Sequence, residues 1–166
     1  WSLEVPWHSG DTRMAFSPNG RVIATGAAEG KVMLREVQTG KVLRILLGHP
    51  FLCYSLTWSP DGEHLASASY ENTIRIWEAR SGRMISRKQA GARLVNSIAW
   101  SPRGGSLLAG LRNDGKMGGV QIWDLESGGP PKTIGRAKDT WAVAWAPDGL
   151  SFATIGSLGG TEGAKL

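Results

Sequence analysis

A short turn sequence recurs along this chain at nearly constant spacing, and it limits the possible folds more than any other feature. Ser-Pro-Asn-Gly begins at Ser17, Ser-Pro-Asp-Gly begins at Ser59 and Ser-Pro begins at Ser101, with 42 residues between successive copies. Ala146-Pro-Asp-Gly follows 45 residues later. Proline presets the backbone for a turn, and glycine supplies positive φ. A period of about 40–45 residues is typical of four-stranded propeller blades, so the sequence predicts a repeat protein.

The second repeat shows what each unit contains. Three short apolar runs at 53–58, 65–69 and 73–78 are separated by turn residues. Alternation with a period of two over about five residues predicts antiparallel strands. The third run ends in Ile-Trp-Glu at Glu78, and the same slot of the next repeat holds Ile-Trp-Asp, ending at Asp124.

Together these features resemble the WD40 family, whose name comes from a Trp-Asp pair. Trp123-Asp124 matches the pair, and Trp77-Glu78 matches it conservatively. The resemblance covers essentially the whole chain and implies an all-β propeller of about four four-stranded antiparallel blades. The expected single domain, 1–166, divides into repeats at about 7–47, 48–90, 91–134 and 135–166, with 1–6 as an outer strand of a neighbouring or closing blade.

Counted from residue 1, the expected order is one outer strand followed by three inner strands, four times over, which gives 16 strands and four blades. WD40 rings mostly have seven or eight blades, and four is the bottom of the propeller range. The chain begins with Trp1 rather than methionine, so we expect a processed chain or a segment of a longer one. Three assemblies stay open: part of a longer ring, two copies paired into an eight-bladed ring, or a closed four-bladed monomer. An open half-ring would expose strand edges and apolar faces, which favour association.

The formal net charge of +5 permits contact with nucleic acid or an anionic surface. The densest basic run consists of Arg80, Arg83, Arg87, Lys88 and Arg93. Because no aromatic residues interleave with these side chains, we interpret the run as a solvated face. Binding of RNA or an anionic membrane through this run is the alternative hypothesis.

The sequence gives little sign of secretion or of a bound group. Its single cysteine, Cys53, excludes an internal disulfide and fits a reducing, cytoplasmic location. It has no apolar run of 18 residues. Metal-ligand spacings and phosphate-loop motifs are absent, so neither a metal nor a cofactor is expected.

The resemblance also implies a structural clamp inside the blade. In the family, a histidine bonds a serine or threonine of the second strand, which bonds the tryptophan indole, with an acidic residue beyond. The matching positions are His49, Ser69, Glu71 and Trp77. Histidine, serine and a carboxylate also make up a hydrolase triad, so an enzymatic hypothesis would use His49 and Ser69. No oxyanion motif accompanies them; we therefore expect no catalytic residues, and a buried Ser69 would exclude this triad.

The residue before each turn and the aliphatic residue two positions earlier are predicted to form the core between blades. These positions hold Phe16, Trp58, Trp100 and Trp145, and Met14, Leu56, Ile98 and Val143. Buried aromatic rings would contribute most of the packing.

Two residues before those aliphatics lies a slot that opens, in the family, onto the rim around the central channel. It holds Thr12, Tyr54, Asn96 and Trp141, and nearby loops add Phe51, Tyr70, Arg93, Arg112 and Asp139. Exposed aromatic and arginine side chains are typical of binding hot spots, although ordinary rim packing would use the same residues. The predicted function is a non-catalytic scaffold that docks a protein or peptide partner on this rim. A sensor or regulatory domain of a larger enzyme is a further alternative.

Overall fold

The computed structural model describes residues 13–91, 94–112, 118–135 and 139–157. Within these ranges the protein is all-β, with antiparallel strands and one 3-10 turn at Ala28–Gly30. The described residues contain no helix that is long and apolar enough to cross a membrane. Thr12 and Arg93, both predicted rim residues, lie outside the described residues.

The strands form blades in chain order, and the pair Arg112 and Asp139 joins the last two blades into one six-stranded sheet. Blade 1 has the order β1-β2-β3-β4: Met14–Phe16, Val22–Gly26, Val32–Glu36 and Val42–Leu46. Blade 2 has the order β5-β6-β7-β8: Cys53–Trp58, His64–Ser69, Thr73–Glu78 and Met84–Gln89. Blade 3 has the order β9-β10-β11-β12: Leu94–Trp100, Ser106–Arg112, Gly119–Asp124 and Lys132–Ile134. Two paired strands of blade 4 follow, β13 and β14: Asp139–Trp145 and Phe152–Ser157.

The outer strand of a blade follows its three inner strands, which corrects the expected order. Strand β4 pairs with β3, with Leu34 opposite Arg44, and so completes blade 1 rather than opening blade 2. Strand β8 completes blade 2 in the same way, through the pair Ile76 and Ser86. The short loops between antiparallel neighbours make this the simplest connection.

The repeated turn closes the first two strands of each blade through its own polar groups. The Gly62 amide donates to the Ser59 carbonyl at 2.9 Å, and Gly62 has φ of 73°. The Ser59 hydroxyl accepts the His64 amide at 2.9 Å, while the Asp61 carboxylate accepts the Glu63 amide at 2.8 Å. In blade 2 the serine, the aspartate and the glycine therefore each hold part of the turn.

Side-chain hydroxyls join the innermost strand of one blade to that of the next. Ser55 Oγ accepts the Ile98 amide at 3.0 Å, and Thr57 Oγ1 accepts the Trp100 amide at 3.2 Å. One blade further on, Ser97 Oγ accepts the Val143 amide at 3.2 Å. These bonds satisfy backbone donors on the open edge of each innermost strand.

The tryptophans before the turns lie between blades, as predicted. The Trp58 indole donates to the Ala15 carbonyl at 2.9 Å, and the Trp145 indole donates to the Ala99 carbonyl at 3.1 Å. The Trp100 indole instead donates to the Gly104 carbonyl of its own turn at 2.6 Å. Trp58 is buried, and the other two rings are half-buried against the core.

The prediction is wrong for the first repeat. Met14 and Phe16 are 57% and 58% exposed, whereas Leu56, the equivalent of Met14 in blade 2, is buried against blade 1. Ala15 lies on the other face of β1 and packs against the core shared by blades 1 and 2. Alternation along the strand turns Met14 and Phe16 to the opposite face. Among the described residues, no blade covers that face.

Candidate functional site: the top rim

The top rim is the edge of the sheets where β5, β9 and β13 begin and where β6 and β10 end. Antiparallel pairing brings these strand ends to one edge, as in the pair Cys53 and Ser69 and the pair Arg112 and Asp139. The described members of the predicted rim all belong to this edge or its loops. They fall into an aromatic cluster on blade 2 and a cationic–aromatic pair spanning blades 3 and 4.

The aromatic cluster consists of Phe51, Tyr54 and Tyr70. The rings of Phe51 and Tyr70 meet edge to face with centroids 6.0 Å apart, and those of Tyr54 and Tyr70 are also 6.0 Å apart. Phe51 and Tyr70 remain 53% and 51% exposed, and the neighbouring Leu52 is exposed as well. Aromatic pairs at these separations stabilise one another, so the cluster is a preformed apolar surface.

The second feature joins Arg112, at the end of β10, to Trp141 in β13. The guanidinium carbon of Arg112 lies 5.2 Å from the Trp141 ring centroid, which is within cation–π range. Trp141 is 49% exposed. Asp139 stands opposite Arg112 in the sheet register, and its Oδ2 accepts a bond of 3.4 Å from the Ser157 hydroxyl. The rim here presents an indole, a cation and a carboxylate together.

Asn96 forms a hydrogen bond between blades instead of an exposed contact surface. Its side-chain amide donates to the Thr140 carbonyl at 3.3 Å, which links blade 3 to blade 4, and the residue is half-buried. A side chain already bonded between blades offers less to a partner than Trp141 in the equivalent slot. Asn96 therefore supports the rim rather than extending from it.

Below the rim, a chain of hydrogen bonds links His49 to Trp77. The Trp77 indole donates to Ser67 Oγ at 2.7 Å, and Ser67 Oγ lies 2.7 Å from His49 Nε2. His49 Nδ1 lies 2.7 Å from Glu71 Oε1. One assignment satisfies every contact: Ser67 donates to Nε2, and His49 donates from Nδ1 to Glu71. The clamp closes the loop before β5 onto the blade.

Ser67 occupies the place in the clamp that was predicted for Ser69, so that prediction is wrong. Trp77 pairs across the sheet with Leu65, and Ser67 is the next residue on the same face. Ser69 lies two residues further along, about 7 Å beyond Ser67, out of the indole's reach. The Ser69 hydroxyl donates instead to the Phe51 carbonyl at 2.9 Å and so holds the loop that carries the aromatic cluster.

Burial and hydrogen bonding set the charges within the clamp. Burial by itself would raise the pKa of Glu71, but hydrogen bonds from the Thr73 hydroxyl and the His49 ring lower it to about 2. Burial lowers the pKa of His49, more than the nearby Glu71 raises it. At neutral pH the pair is therefore a carboxylate that accepts a bond from a neutral imidazole.

Gly48 and Arg75 both adjoin the clamp, and the sequence reasoning missed Arg75. Gly48 has φ of 155°, and a Cβ there would lie 2.1 Å from Arg75 Nη1, so a larger residue would strain the backbone and displace the guanidinium. Arg75 Nη2 reaches Glu71 Oε1 at 3.4 Å. The signal was available in part, because Gly48 directly precedes His49 and Arg75 alternates with Trp77 on β7.

The hydrolase hypothesis finds no support in this geometry. Ser69 and His49 are both buried, so a substrate cannot reach them. Ser69 bonds a backbone carbonyl, and His49 contacts Ser67. A nucleophile and its base must share a hydrogen bond at an accessible site.

One group of side chains has the spacing of metal ligands. The ligand atoms of Asp61, Glu63 and His64 lie within 4.8 Å of one another in the turn after β5. Asp61 already accepts bonds from the Ser59 hydroxyl and the Glu63 amide, which lower its pKa. Asp61 thus serves the turn.

The clamp is incomplete in blade 3. Ala109 stands where blade 2 has Ser67, opposite Ile98 in the register as Ser67 is opposite Leu56. Within the described residues the buried Trp123 indole N–H has no hydrogen-bond partner. Lys88 lies over the Trp123 ring, with its ammonium 5.6 Å from the centroid.

Comparison with known proteins supports a repeat fold. The family model described as "WD domain, G-beta repeat" matches residues 3–35 and 40–78. No curated protein sequence matches the chain.

Solved structures show the same architecture. The chain is similar to Kuenenia stuttgartiensis hydrazine synthase, with a TM-score of 0.76 and 17% identity over 90% of this chain and 42% of that one. It is also similar to the Myceliophteria thermophila Cps50 (Swd1) β-propeller domain, with a TM-score of 0.76 and 22% identity over 89% of this chain and 50% of that one. The chain thus spans about half or less of the length of these structures. At such identities the likeness establishes the fold and leaves the function to the site.

Proposed function

This chain carries WD40 repeats folded as part of a β-propeller, and on that premise we propose that it docks a protein or peptide partner on its top rim without catalysing a reaction. WD40 propellers generally are protein-interaction scaffolds. The proposal assigns the contact to the aromatic cluster of Phe51, Tyr54 and Tyr70 and to the pair Arg112 and Trp141.

The observation that carries the proposal is the exposure of large aromatic rings that neighbouring groups already hold in place. Phe51 and Tyr70 stack edge to face, and Trp141 lies against Arg112. The Ser69 hydroxyl fixes the Phe51 carbonyl. Aromatic and arginine side chains dominate binding hot spots, and fixed side chains lose little entropy when a partner binds.

A pull-down from cell extract with matched variants tests the proposal. Trp141→Ala and Tyr54→Ala should each reduce capture of the same partner, because both remove rim contact area. Leu150→Ala is the control, since Leu150 is exposed in the turn between β13 and β14 at the opposite edge. Thermal unfolding of each variant establishes that the fold is kept. Retention of every captured protein by both rim variants would disprove the rim assignment.

We infer a cytoplasmic location, because a single cysteine allows no internal disulfide and fits a reducing compartment. The pull-down also tests ionic binding. The RNA or anionic-membrane alternative depends on the basic run of β8, where Lys88 already lies over Trp123. Electrostatic capture falls steeply as salt rises, whereas capture by the aromatic rim should persist.

A further inference from the structure

A cavity of about 330 Å³ lies between blades 1 and 2, at the edge opposite to the top rim. Val22 and Leu34 of blade 1 and Trp58 and Ala79 of blade 2 form its apolar walls. Its volume is at the lower end of the roughly 300–1,000 Å³ that is typical of ligand pockets. We call this space the inter-blade cavity.

The next junction shows why the cavity exists. At the junction of blades 2 and 3, His64 takes the place of Val22, since each pairs with the last glutamate of its neighbouring strand, Glu78 or Glu36. The His64 ring stacks on Trp100, with centroids 6.3 Å apart and planes at 21°.

Leu125 likewise takes the place of Ala79. Each is the first residue after the third strand, and Leu125 packs against the core between blades 2 and 3. Two smaller side chains at the first junction therefore leave the space that larger ones fill at the second. The inter-blade cavity thus lies where two residues depart from those of the next repeat.

Two arginines line the same cavity. Arg44 Nε donates to the Arg80 carbonyl at 3.2 Å, so Arg44 extends from the outer strand of blade 1 to blade 2. Neither side chain forms an ion pair with a carboxylate in the part of the chain that the structure describes. At the next junction the corresponding residues are Ser86 and Glu126. Of these two junctions, only the first combines an open apolar wall with two exposed cations.

We propose that the inter-blade cavity binds a short acidic peptide segment, which inserts an aliphatic side chain against the apolar walls and pairs its carboxylates with Arg44 and Arg80. The apolar walls match the side chain, and guanidinium groups bind carboxylates with charge-assisted hydrogen bonds. The choice of a peptide over a small apolar anion rests on the proposed scaffold function.

Fluorescence anisotropy with defined peptides tests this site. The probe is a labelled short peptide with one leucine flanked by glutamates, and its controls replace the leucine by alanine or the glutamates by glutamines. Both controls should bind at least about tenfold more weakly, equivalent to about 1.4 kcal/mol. In an NMR titration of the chain, the probe should shift the Trp58 indole N–H signal, because that ring forms a wall of the cavity.

The junction of blades 2 and 3 has Leu125 and Glu126 in the places of Ala79 and Arg80, and these residues define the variants that test the cavity. Ala79→Leu should fill the cavity, and Arg80→Glu should reverse its charge, each weakening the probe at least about tenfold. Ala79 is half-buried, so its variant is checked by thermal unfolding, while Arg80 is exposed and its variant tests the site without repacking. Unchanged affinity in Arg80→Glu, or no binding of the probe to the unmodified chain, would overturn the proposal.

Two further outcomes separate the alternatives. If octanoate shifts the Trp58 signal and the peptide does not, the site takes a small apolar anion and the peptide assignment is wrong. Trp141→Ala should leave peptide affinity unchanged, because it lies on the top rim. Loss of peptide binding in Trp141→Ala would place the peptide on the rim instead and overturn the cavity proposal while supporting the rim.

Discussion

The Trp77 indole donates its hydrogen bond to Ser67, two residues nearer the start of β6 than Ser69. The buried indole N–H of β7 is therefore satisfied by a hydroxyl of the neighbouring strand, β6. The same hydroxyl contacts His49, so one oxygen joins the blade to the loop beneath the rim.

The two serines should therefore differ in their contribution to stability. Ser67→Ala leaves the buried Trp77 indole without its acceptor and His49 without its contact, which should lower the free energy of unfolding by about 1–3 kcal/mol. Ser69→Ala removes one bond to the Phe51 carbonyl, beside an exposed side chain, and should cost about 1 kcal/mol or less. Urea unfolding measures both. A greater loss for Ser69→Ala would contradict the observed clamp.

The third blade allows the opposite experiment. Ala109→Ser places a hydroxyl where Trp123, 5% exposed, has no acceptor among the described residues. The new bond should raise the free energy of unfolding by about 1 kcal/mol. Ala109→Val is the control, because it adds volume without an acceptor. If the serine variant is no more stable than the valine variant, the Trp123 indole is satisfied in another way.

Acid should destabilise the protein in two steps. Both folded-state pKa values lie below their ordinary values, 6.5 for His49 and 4.5 for Glu71, so the unfolded chain takes up protons first. The stabilisation is complete above about pH 6.5. It decreases below that pH through His49, and again from about 4.5 towards 2 through Glu71.

Urea unfolding across this pH range measures the effect. His49→Gln should remove the upper step, since glutamine does not titrate, and should leave the step below pH 4.5 smaller but present. A free energy of unfolding that stays constant in the unmodified chain from neutral pH to below the ordinary pKa of His49 would count against the neutral imidazole.

The face of β1 that no described strand covers should cause association. Met14 and Phe16 expose a contiguous apolar stripe, which favours burial against another blade. We expect the solution mass to rise above the 17.8 kDa of the single chain as concentration increases. The double variant Met14→Ser with Phe16→Ser should return the solution mass towards the single-chain value. A mass that stays at the single-chain value at every concentration would show that the stripe is not used in this way.

The repeat, the strands and most of the core could be predicted from sequence, because each depends on local spacing. Alternation sets which face a residue occupies, so Leu56, Ile98 and Val143 were correctly placed in the core. Phe16 obeys the same spacing and is nevertheless exposed. Its burial depends on a neighbouring blade, and the pattern within one strand carries no information about that neighbour.

The clamp shows the same limit on a smaller scale. Ser67 and Ser69 are alike in type and lie on the same face of β6, so spacing alone does not distinguish them. The choice depends on the register between β6 and β7, which sets Leu65 opposite Trp77. The inter-blade cavity was not foreseen either, because it follows from the side-chain sizes of two repeats compared in three dimensions.

The hydroxyls that accept amides from the following innermost strand have an evolutionary consequence. Ser55 and Thr57 meet Ile98 and Trp100 at a separation of 43 residues along the chain. Adding one residue within β5 or β9 would bring each oxygen opposite the wrong amide, whereas lengthening a connecting loop would leave every pair in place. Proteins descended from this chain can therefore gain whole repeats or longer loops. Selection should eliminate single-residue insertions inside these strands.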